Sequence, residues 1–503
     1  MIKKIFHLCL LILIAIPVFG QSKQKAIDAF FTALAKNQQF SGNILVIEKN
    51  KIVYEKSFGY TDYTTQSPIT PGITFPIASI TKILTATAIL QLSEKGRLAI
   101  TDPVTQYLPE FPYPAITLKH LLSHTSGLPP YNAFFDKYRK ENPAKIFTNK
   151  DFIHGMLANK QPLIYQPGEK GNYDNINFIV LALVVEKVSG MDYKNYIEKN
   201  ILRPAGMYNT VLFPLPEQFN TAQIKNYAYP QVYLHLYDTV PVKSSSIPYV
   251  REYWHSYGFT GFADYVSTTR DLWKFDEALY NNTLLNKQTL AAAYVPVKLN
   301  NGKINPDAFG LGWEIEKDSS LGKLVYHSGA AMGLSSNILR NITKQQTVIL
   351  FDNMHFNAHE NATKVMMLLN GKKVGMPKKS IAKIYGNLLF TKTARVAKAT
   401  LESLLKDTAQ YYLSEDEMNS LGYDFLGNSN PYHLPERHLY KQAVETLKMN
   451  VTLFPDSWNA YDSYAEALLA DDQKEEAIKM YQKSLSLNPD NENARKILEK
   501  LLK

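Results

Sequence analysis

The stretch SITKILTATAILQLSEKG, residues 79–96, has the residue pattern of a helix. Apolar side chains recur within it at helical spacing, at Ile80, Leu84, Ala88 and Leu92. Gly96 ends the pattern, as glycine commonly does at the C-terminus of a helix. The spacing therefore predicts a helix that begins near Ser79 and ends just before Gly96.

Ser79 and Lys82 form an S-x-x-K sequence at the start of this helix. Residues three apart lie on one helix face, so Lys82 can reach the Ser79 hydroxyl. Free N–H groups at a helix N-terminus favour an oxyanion and lower the pKa of a lysine. A serine becomes a nucleophile when a nearby base accepts its proton. Taken alone, the tetrapeptide is also explained by a serine that caps the helix.

Three further motifs follow in the chain. The first is LLSHTSGLP, residues 121–129, in which we interpret His124 as fixing its loop by hydrogen bonds. The second is GNYDN, residues 171–175, where an extended segment would put the side chains of Tyr173 and Asn175 on one side. The third is HSG, residues 327–329, where a glycine beside a strand would let a substrate backbone approach closely.

Predicted strands lie at both ends of the segment that holds these motifs. Residues 41–60 read as a hairpin, and residues 309–315, 324–326 and 347–351 read as strands. A second long helix is predicted over about residues 177–189, closed by Gly190. Strands at both ends with helices between them favour an α+β domain whose N- and C-terminal strands share one sheet.

Taken in this order, the motifs resemble the serine β-lactamase and penicillin-binding-protein superfamily, in particular its class C β-lactamase, esterase and D,D-peptidase branch. The resemblance covers roughly residues 25–365. It implies a β-lactamase/transpeptidase-like domain over residues 21–370, with an antiparallel sheet, flanking helices and a helical subdomain.

The resemblance implies catalytic roles for four residues. Ser79 is similar to the acylated nucleophile, and Lys82 to the general base or to the cation that lowers a tyrosine pKa. Tyr173 is similar to the partner base and acid. Asn175 is similar to the residue that hydrogen-bonds the lysine and the substrate amide.

The resemblance also implies a substrate-binding strand at His327, Ser328, Gly329 and Ala330. His327 stands at the first position of the family's Lys-Thr-Gly motif. The oxyanion hole would consist of the backbone N–H groups of Ser79 and Ala330.

Two residues depart from the family pattern. Asp174 stands where serine or alanine is usual, and we expect its carboxylate to point to solvent rather than to raise the pKa of Lys82. His327 replaces a lysine, which removes a permanent positive charge that would bind a substrate carboxylate. We therefore expect esters or D-amino-acid peptides to be better substrates than β-lactams, unless Arg251, Arg270 or Arg340 supplies the charge.

The N-terminus predicts export. Lys3 and Lys4 precede an apolar run, Leu8–Phe19, and Gly20 offers a cleavage site, so residues 1–20 read as a signal peptide. The only cysteine, Cys9, lies in this segment. An uncleaved anchor is the alternative. We expect a periplasmic or extracellular protein without disulfides or a cysteine-based site.

The C-terminal part reads as a separate helical region. A basic linker is predicted over residues 371–380, followed by an all-α region over 381–503. Ala443 and Ala477 are 34 residues apart, as are Pro455 and Pro489, and residues 421–502 resemble tetratricopeptide repeats. Such a region either docks a protein partner or stabilises the main domain. Because every catalytic motif precedes it, the sequence predicts that it is separable from the chemistry.

The composition excludes several classes of protein. With 503 residues, 45% of them hydrophobic, the chain is not intrinsically disordered. Its net charge of +9 is not concentrated in a basic block, so no nucleic-acid partner is indicated. We predict a secreted serine hydrolase that forms an acyl-enzyme on an ester, D-amino-acid peptide or β-lactam carbonyl, with no cofactor and no metal. The alternative is a non-catalytic penicillin-binding-like sensor or scaffold whose tail binds a protein.

Overall fold

The computed structural model describes residues 23–213, 226–255, 257–317, 320–354, 357–427 and 438–503. These residues form two compact units. The first unit holds the described chain up to Val232 together with Lys243–Gly375, and the second, the helical unit, holds Tyr233–Val242 together with Met376–Lys503. The predicted signal peptide, residues 1–20, lies outside the described residues.

The strands up to residue 352 are, in chain order, β1 (Gly42–Glu48), β2 (Lys51–Phe58), β3 (Tyr60–Asp62), β4 (Ser67–Pro68), β5 (Phe75–Pro76), β6 (Val211–Leu212), β7 (Gln231–Val232), β8 (Val242–Lys243), β9 (Tyr265–Ser267), β10 (Glu314–Ile315), β11 (Leu324–Ala331), β12 (Leu334–Asn341) and β13 (Gln346–Asp352). Six of them form an antiparallel sheet in the order β10-β11-β12-β13-β1-β2. The expectation that N- and C-terminal strands share one sheet is confirmed, because β1 pairs with β13.

Both faces of this sheet are buried, because successive side chains of a strand point to opposite faces. In β1, Leu45 and Ile47 pack into the larger core, whereas Ile44 and Val46 pack into a smaller core on the other face. The smaller core is completed by the first and the last helix of the unit. The larger core carries the helices that position the site.

The helices up to residue 370 are, in chain order, α1 (residues 23–36), α2 (Thr81–Glu94), α3 (Leu118–Leu122), α4 (Tyr131–Glu141), α5 (Asn149–Ala158), α6 (Ile176–Ser189), α7 (Tyr193–Ile197), α8 (Arg203–Ala205), α9 (Pro248–His255), α10 (Thr269–Tyr280), α11 (Lys287–Ala293) and α12 (Ala358–Leu369). The predicted helices near 79–95 and 177–189 are confirmed as α2 and α6, and Gly190 has the left-handed conformation of a helix C-cap. In α2, every residue from Thr81 to Leu92 is buried, so this helix runs through the core.

Two predicted strands have different bounds in the structure. Of residues 309–315, only Glu314–Ile315 is a strand. In contrast, the strand predicted over 324–326 continues to Ala331, so the HSG motif lies inside β11 rather than after it. Gly329 is accommodated there because a Cβ at this position would lie 2.3 Å from the carbonyl oxygen of Ile77. Glycine permits close approach here and does not end the strand.

The helical unit follows the predicted basic linker. Its elements beyond residue 375 are β14 (Lys379–Ser380), α13 (Ile381–Thr391), α14 (Ala394–Leu404), β15 (Tyr411–Tyr412), α15 (Glu415–Leu426), α16 (Tyr440–Leu453), α17 (Trp458–Ala470), α18 (Lys474–Leu487) and α19 (Glu492–Leu501). The predicted all-α tail is thus confirmed apart from one two-stranded parallel ladder. Ala443, Ala477 and Tyr481 of the repeat pattern are fully buried, while the assignment to tetratricopeptide repeats stays a prediction.

Among the described residues, none of the helices has both the length and the apolar character that crossing a bilayer requires.

Candidate active site

Ser79 lies on a 3-10 turn, Ala78–Ile80, that leads directly into α2. Ala78 before it has a positive φ of 44°, a strained conformation for a residue with a side chain. Lys82 is in the first turn of α2 and is completely buried. Its Nζ lies 3.0 Å from the Ser79 Oγ, so the predicted approach of these two side chains is present.

The Lys82 amine has three hydrogen-bond partners. Besides Ser79, it donates to Asn175 Oδ1 at 2.8 Å and to the carbonyl oxygen of Phe262 at 3.1 Å. These two oxygens can only accept hydrogen bonds. A neutral amine has two N–H bonds, and both are taken by these oxygens. Its lone pair then faces the Ser79 hydroxyl.

Burial lowers the pKa of Lys82 to about 7, against the opposing effects of Asp174, Asp264 and Glu314. A charged ammonium is costly to hold without water, so the neutral form becomes accessible near pH 7. Aromatic rings surround the amine, with Nζ 4.8 Å from the ring centre of Tyr173 and 5.4 Å from that of Phe262. The lysine can therefore accept a proton under ordinary conditions.

The turn that presents the Phe262 carbonyl was not found from the sequence. Asp264 holds this turn, since one of its carboxylate oxygens accepts hydrogen bonds from the N–H groups of Gly261, Phe262 and Ala263 at 2.7–3.1 Å. Gly261 has a φ of 108°, and a Cβ there would lie 2.6 Å from the carbonyl oxygen of Phe178. Burial raises the pKa of Asp264 to about 6. In the sequence, Gly261 and Asp264 indicate a turn, but they do not show that a carbonyl oxygen of this turn reaches Lys82.

Tyr173 and Asn175 lie in the loop before α6, where Tyr173 contacts Ser79 and Asn175 contacts Lys82. Tyr173 is hydrogen-bonded with Ser79, and burial raises its pKa well above 10. The residue as a whole is 39% exposed, so it also borders the open side of the site. The four residues that the sequence predicted as catalytic are thus together in the structure.

His124 and Asp174 hold the Tyr173 loop. The N–H of Asp174 and the amide of Asn177 both donate to His124 Nδ1, at 3.2 and 3.1 Å, so the ring proton is on Nε2. The His124 ring packs 4.4 Å from the ring of Tyr173. Burial lowers the pKa of His124 well below 6.5. The prediction that His124 fixes a loop by hydrogen bonds therefore agrees with these contacts.

The expectation that Asp174 points to solvent is wrong. Its side chain is half-buried, and Oδ1 accepts a hydrogen bond at 3.0 Å from the N–H of Ile176, the first residue of α6. A carboxylate at a helix N-terminus is stabilised by the free N–H groups and the helix dipole. From this position it also raises the pKa of Lys82.

Strand β11 brings the predicted substrate-binding residues to the same site. Gly329 packs against the turn of Ser79, since a Cβ built on it would lie 3.0 Å from the Ser79 nitrogen. Ser336 of β12 donates to the carbonyl oxygen of Ile77 at 2.8 Å and ties this turn to the sheet. Ala330 and Ser79 both line one pocket.

His327 is buried and neutral. Burial, followed by the charge of Lys82, lowers the pKa of His327 to about 3. Its Nδ1 lies 2.8 Å from the carbonyl oxygen of Ser328, which can only accept, so the ring proton is on Nδ1. These surroundings agree with the expectation from the sequence that this position carries no positive charge.

A pocket of about 120 Å³ lies beside Ser79. Its wall is largely apolar and aromatic, formed by Tyr227, Tyr229, Pro230, Val250, Phe262, Met332 and Leu334 among others. Among the described residues that line it there is no lysine or arginine. Arg270 instead pairs with Glu55 at 2.6 Å, and Arg340 pairs with Asp276 in the core. Arg251 does not line the pocket either.

In the part of the chain that the structure describes, no cluster of three or more histidine, cysteine, aspartate or glutamate side chains has an arrangement that could hold a metal ion.

Comparison with known proteins places this chain in a family. The family profile named Beta-lactamase matches residues 27–370. The chain therefore belongs to the beta-lactamase family, which includes the penicillin-binding-protein-like serine hydrolases.

Individual relatives agree with this assignment. The chain is 34% identical over 333 residues to penicillin-binding protein 4* of Bacillus subtilis (strain 168), which is 66% of this chain and 72% of that protein. A solved structure of an octameric penicillin-binding protein homologue from Pyrococcus abyssi matches with a TM-score of 0.57 and 26% identity, covering 69% of this chain and 77% of that one. A penicillin-binding protein from Bacillus halodurans matches with a TM-score of 0.56 and 26% identity, covering 68% and 98%.

Proposed function

We propose that the protein hydrolyses a carbonyl substrate through an acyl-enzyme on Ser79. The observation that carries this proposal is the geometry at Lys82, whose Nζ lies 3.0 Å from Ser79 Oγ, 2.8 Å from Asn175 Oδ1 and 3.1 Å from the Phe262 carbonyl oxygen. When the amine is neutral and donates to the last two oxygens, its lone pair is left for the Ser79 hydroxyl. A base with a pKa near the working pH is the most effective proton acceptor. Because burial raises the pKa of Tyr173, its phenolate is rare, and Lys82 is the base.

In acylation, Ser79 Oγ attacks the substrate carbonyl and its proton passes to Lys82 Nζ. The oxyanion accepts hydrogen bonds from the N–H groups of Ser79 and Ala330. When the intermediate collapses, the bond to the leaving group breaks and the leaving group takes the Tyr173 proton. The Lys82 ammonium returns a proton to Tyr173 and is neutral again.

In deacylation, a water molecule attacks the acyl carbonyl and gives its proton to Lys82. The bond between the acyl carbon and Ser79 Oγ breaks, and Oγ takes a proton from the Lys82 ammonium, which becomes neutral again. The acid leaves and the site is restored. No redox partner is needed for any of these steps.

The acyl-enzyme is tested by measuring how its acyl group is divided between water and added methanol. Phenyl butyrate and p-nitrophenyl butyrate share one acyl group, so with added methanol both should give the same ratio of methyl ester to free acid. A ratio that depends on the leaving group would contradict a common acyl-enzyme.

Asn175→Asp is expected to move the acid limb of the kcat/KM profile to higher pH. The wild-type limb reflects the Lys82 pKa of about 7. A carboxylate 2.8 Å from Nζ would favour the ammonium and raise that pKa by about one unit or more. Asn175→Ala is the control, since it adds no charge and should leave the limb at or below its wild-type pH. An unmoved limb in Asn175→Asp would show that Lys82 is not the titrating group.

We further propose that the substrate is an ester without a carboxylate. The neutral His327 and the pocket wall, which has no cation among the residues described, support this choice. A charged hydrogen bond contributes about 1.5–3 kcal/mol, so a substrate carboxylate left without a partner loses roughly ten- to a hundred-fold in specificity. A peptide with a free C-terminal carboxylate lacks a cationic partner in this pocket in the same way as a β-lactam does, so an ester is the favoured substrate over both.

His327→Lys is expected to raise β-lactam turnover relative to ester turnover. The measurement is the ratio of kcat/KM for nitrocefin to kcat/KM for p-nitrophenyl butyrate, which should rise by about tenfold. His327→Gln removes the ring without adding charge and should leave the ratio low. A wild-type ratio well above one, unchanged in His327→Lys, would show that this residue does not determine the choice.

We also propose that the mature protein is exported and that its chemistry resides in residues 21–370. The support is the N-terminal signal pattern, with a cleavage site after Gly20. N-terminal sequencing of the protein from the periplasm or the medium should find Gln21 as the first residue. A protein that stays in the cytoplasm with an intact N-terminus would contradict export.

A further inference from the structure

Residues 233–242 leave the first unit at the wall of the pocket and return to it at the same wall. Tyr229 and Pro230, before this segment, line the pocket, and so do Ser244 and Ser245 after it. The N–H of Ser244 donates to the carbonyl oxygen of Pro230 at 2.9 Å. The two ends therefore lie side by side, and we call residues 233–242 the finger.

The base of the finger is tied to the end of strand β11. The N–H of Gln231 lies between two carbonyl oxygens, that of Gly333 at 3.1 Å and that of Asn353 at 2.8 Å. Gly333 directly follows Met332, which lines the pocket, and strand β11 before it carries Ala330. A displacement at the base would therefore reach Met332 and the wall of the pocket.

The finger itself belongs to the core of the helical unit. Tyr237 is 1% exposed, and its ring stacks on that of Phe425 with 4.7 Å between ring centres and 8° between planes. The rings of His235 and Phe390 pack against it at 4.8 and 4.9 Å. The amide of Asn387 donates to the Tyr237 carbonyl oxygen at 3.0 Å. A buried aromatic cluster of this kind holds a segment strongly.

A buried carboxylate holds the finger as well. Asp424 of α15 accepts a hydrogen bond from the N–H of Leu236 at 2.6 Å, and its other oxygen lies 2.9 Å from His235 Nδ1. Its side chain is only 3% exposed. A buried carboxylate needs such partners, because leaving it unpaired away from water is costly. Both partners come from the finger.

We propose that the helical unit holds the wall of the substrate pocket through the finger, with Tyr237 and Asp424 as positioning residues for substrate binding. Without these contacts, the chain on either side of the finger gains conformational freedom, which a substrate must remove when it binds. The chemistry is spared because Ser79, Lys82 and Tyr173 lie on other segments. The tail is then separable from the chemistry, as the sequence predicts, but not from substrate binding.

The first test is hydrogen exchange in the full-length protein, which does not depend on the proposed function. In Tyr237→Ala, amides of residues 227–232 and 243–250 should exchange faster than in the wild type, while those of β12 and β13 should not change. Tyr237→Phe keeps the stacked ring and should restore the wild-type rates. Faster exchange confined to residues 233–242, with an unchanged pocket wall, would overturn the proposal.

The second test is kinetic and rests on the proposed hydrolysis. For p-nitrophenyl butyrate, Tyr237→Ala should raise KM by about tenfold and leave kcat within about twofold. Asp424→Asn, which loses the charge but keeps the shape, should change KM in the same direction by less. An equal loss in kcat, or no change in KM, would contradict positioning by the finger.

Matched variants separate positioning from general destabilisation. Tyr481→Ala removes a fully buried ring of the same size from α18, which packs on α17 and α19, and should leave KM unchanged. Where Tyr237→Ala does not fold, Asn387→Ala removes only one donor to the finger and is measured instead. A rise in KM in Tyr481→Ala equal to that in the finger variants would show that any loss of stability produces it, and would overturn the proposal.

Discussion

Replacing Ser79 by alanine is expected to abolish both turnover of p-nitrophenyl butyrate and covalent labelling by a fluorophosphonate probe. The hydroxyl oxygen is the atom that would form the acyl bond, and it lies 3.0 Å from the Lys82 amine. We expect kcat to fall by about 10⁴-fold or more, with what remains coming from binding and the oxyanion hole. Intact-mass spectrometry of the labelled protein and a steady-state assay measure the two effects.

The control for this variant is Ser245→Ala. Ser245 lines the same pocket, so the change removes a serine hydroxyl from the same surroundings. It should keep the label and most of the turnover. A Ser79→Ala protein that still carried the adduct, or kept near-normal activity, would show that the nucleophile is another residue.

Replacing Lys82 is expected to produce the second-largest loss. Lys82→Met keeps a straight side chain in the buried site but removes the proton acceptor, so kcat should fall by about 10³-fold or more. Lys82→Arg tests the remaining alternative, a cation that lowers the pKa of Tyr173. An arginine stays charged at every working pH and cannot accept a proton. We therefore expect Lys82→Arg to be as inactive as Lys82→Met, and a largely active Lys82→Arg would contradict a base at this position.

The pH profile of the wild type gives the same assignment without a mutation. Because burial lowers the pKa of Lys82 to about 7, the amine is neutral above that pH and charged below it. The reactive form is the neutral one, so kcat/KM should rise as the pH increases through 7 and then level off. At pH 5 the neutral fraction would be about one-hundredth. A profile that falls with increasing pH through 7 would contradict the mechanism.

Much of the fold follows from local patterns. The helical spacing of Ile80, Leu84 and later apolar residues predicts α2, and Gly190 predicts the end of α6. The end of one strand does not follow from such a pattern, because the sequence predicts that the strand over residues 324–326 ends before Gly329. In the structure, Gly329 lets β11 pass close to the turn that holds Ser79. This role depends on a segment that is distant in the sequence, so no local pattern around Gly329 shows it.

Part of the candidate site can also be predicted from the sequence, and part of it cannot. Spacing in the sequence predicts that Lys82 reaches Ser79, because residues three apart lie on one helix face. In the structure Ser79 is on the 3-10 turn before α2, and the two side chains still meet. The order of the motifs resembles that of the family, and this resemblance implies that Tyr173 and Asn175 lie opposite Ser79 and Lys82. The Phe262 carbonyl is invisible to such patterns, because a backbone oxygen carries no residue signature. Its position depends on Asp264 and Gly261, which lie some 180 residues beyond Lys82.

By itself, the sequence determined the helix with its serine and lysine, the α+β class, the helical tail and the absence of a lysine at position 327. Tertiary structure alone decided how far burial lowers the pKa of Lys82, where Asp174 points, and that residues 233–242 belong to the core of the helical unit. The physical reason is that periodicity and spacing act over a few residues, whereas burial and charge depend on whatever distant segments pack around a group.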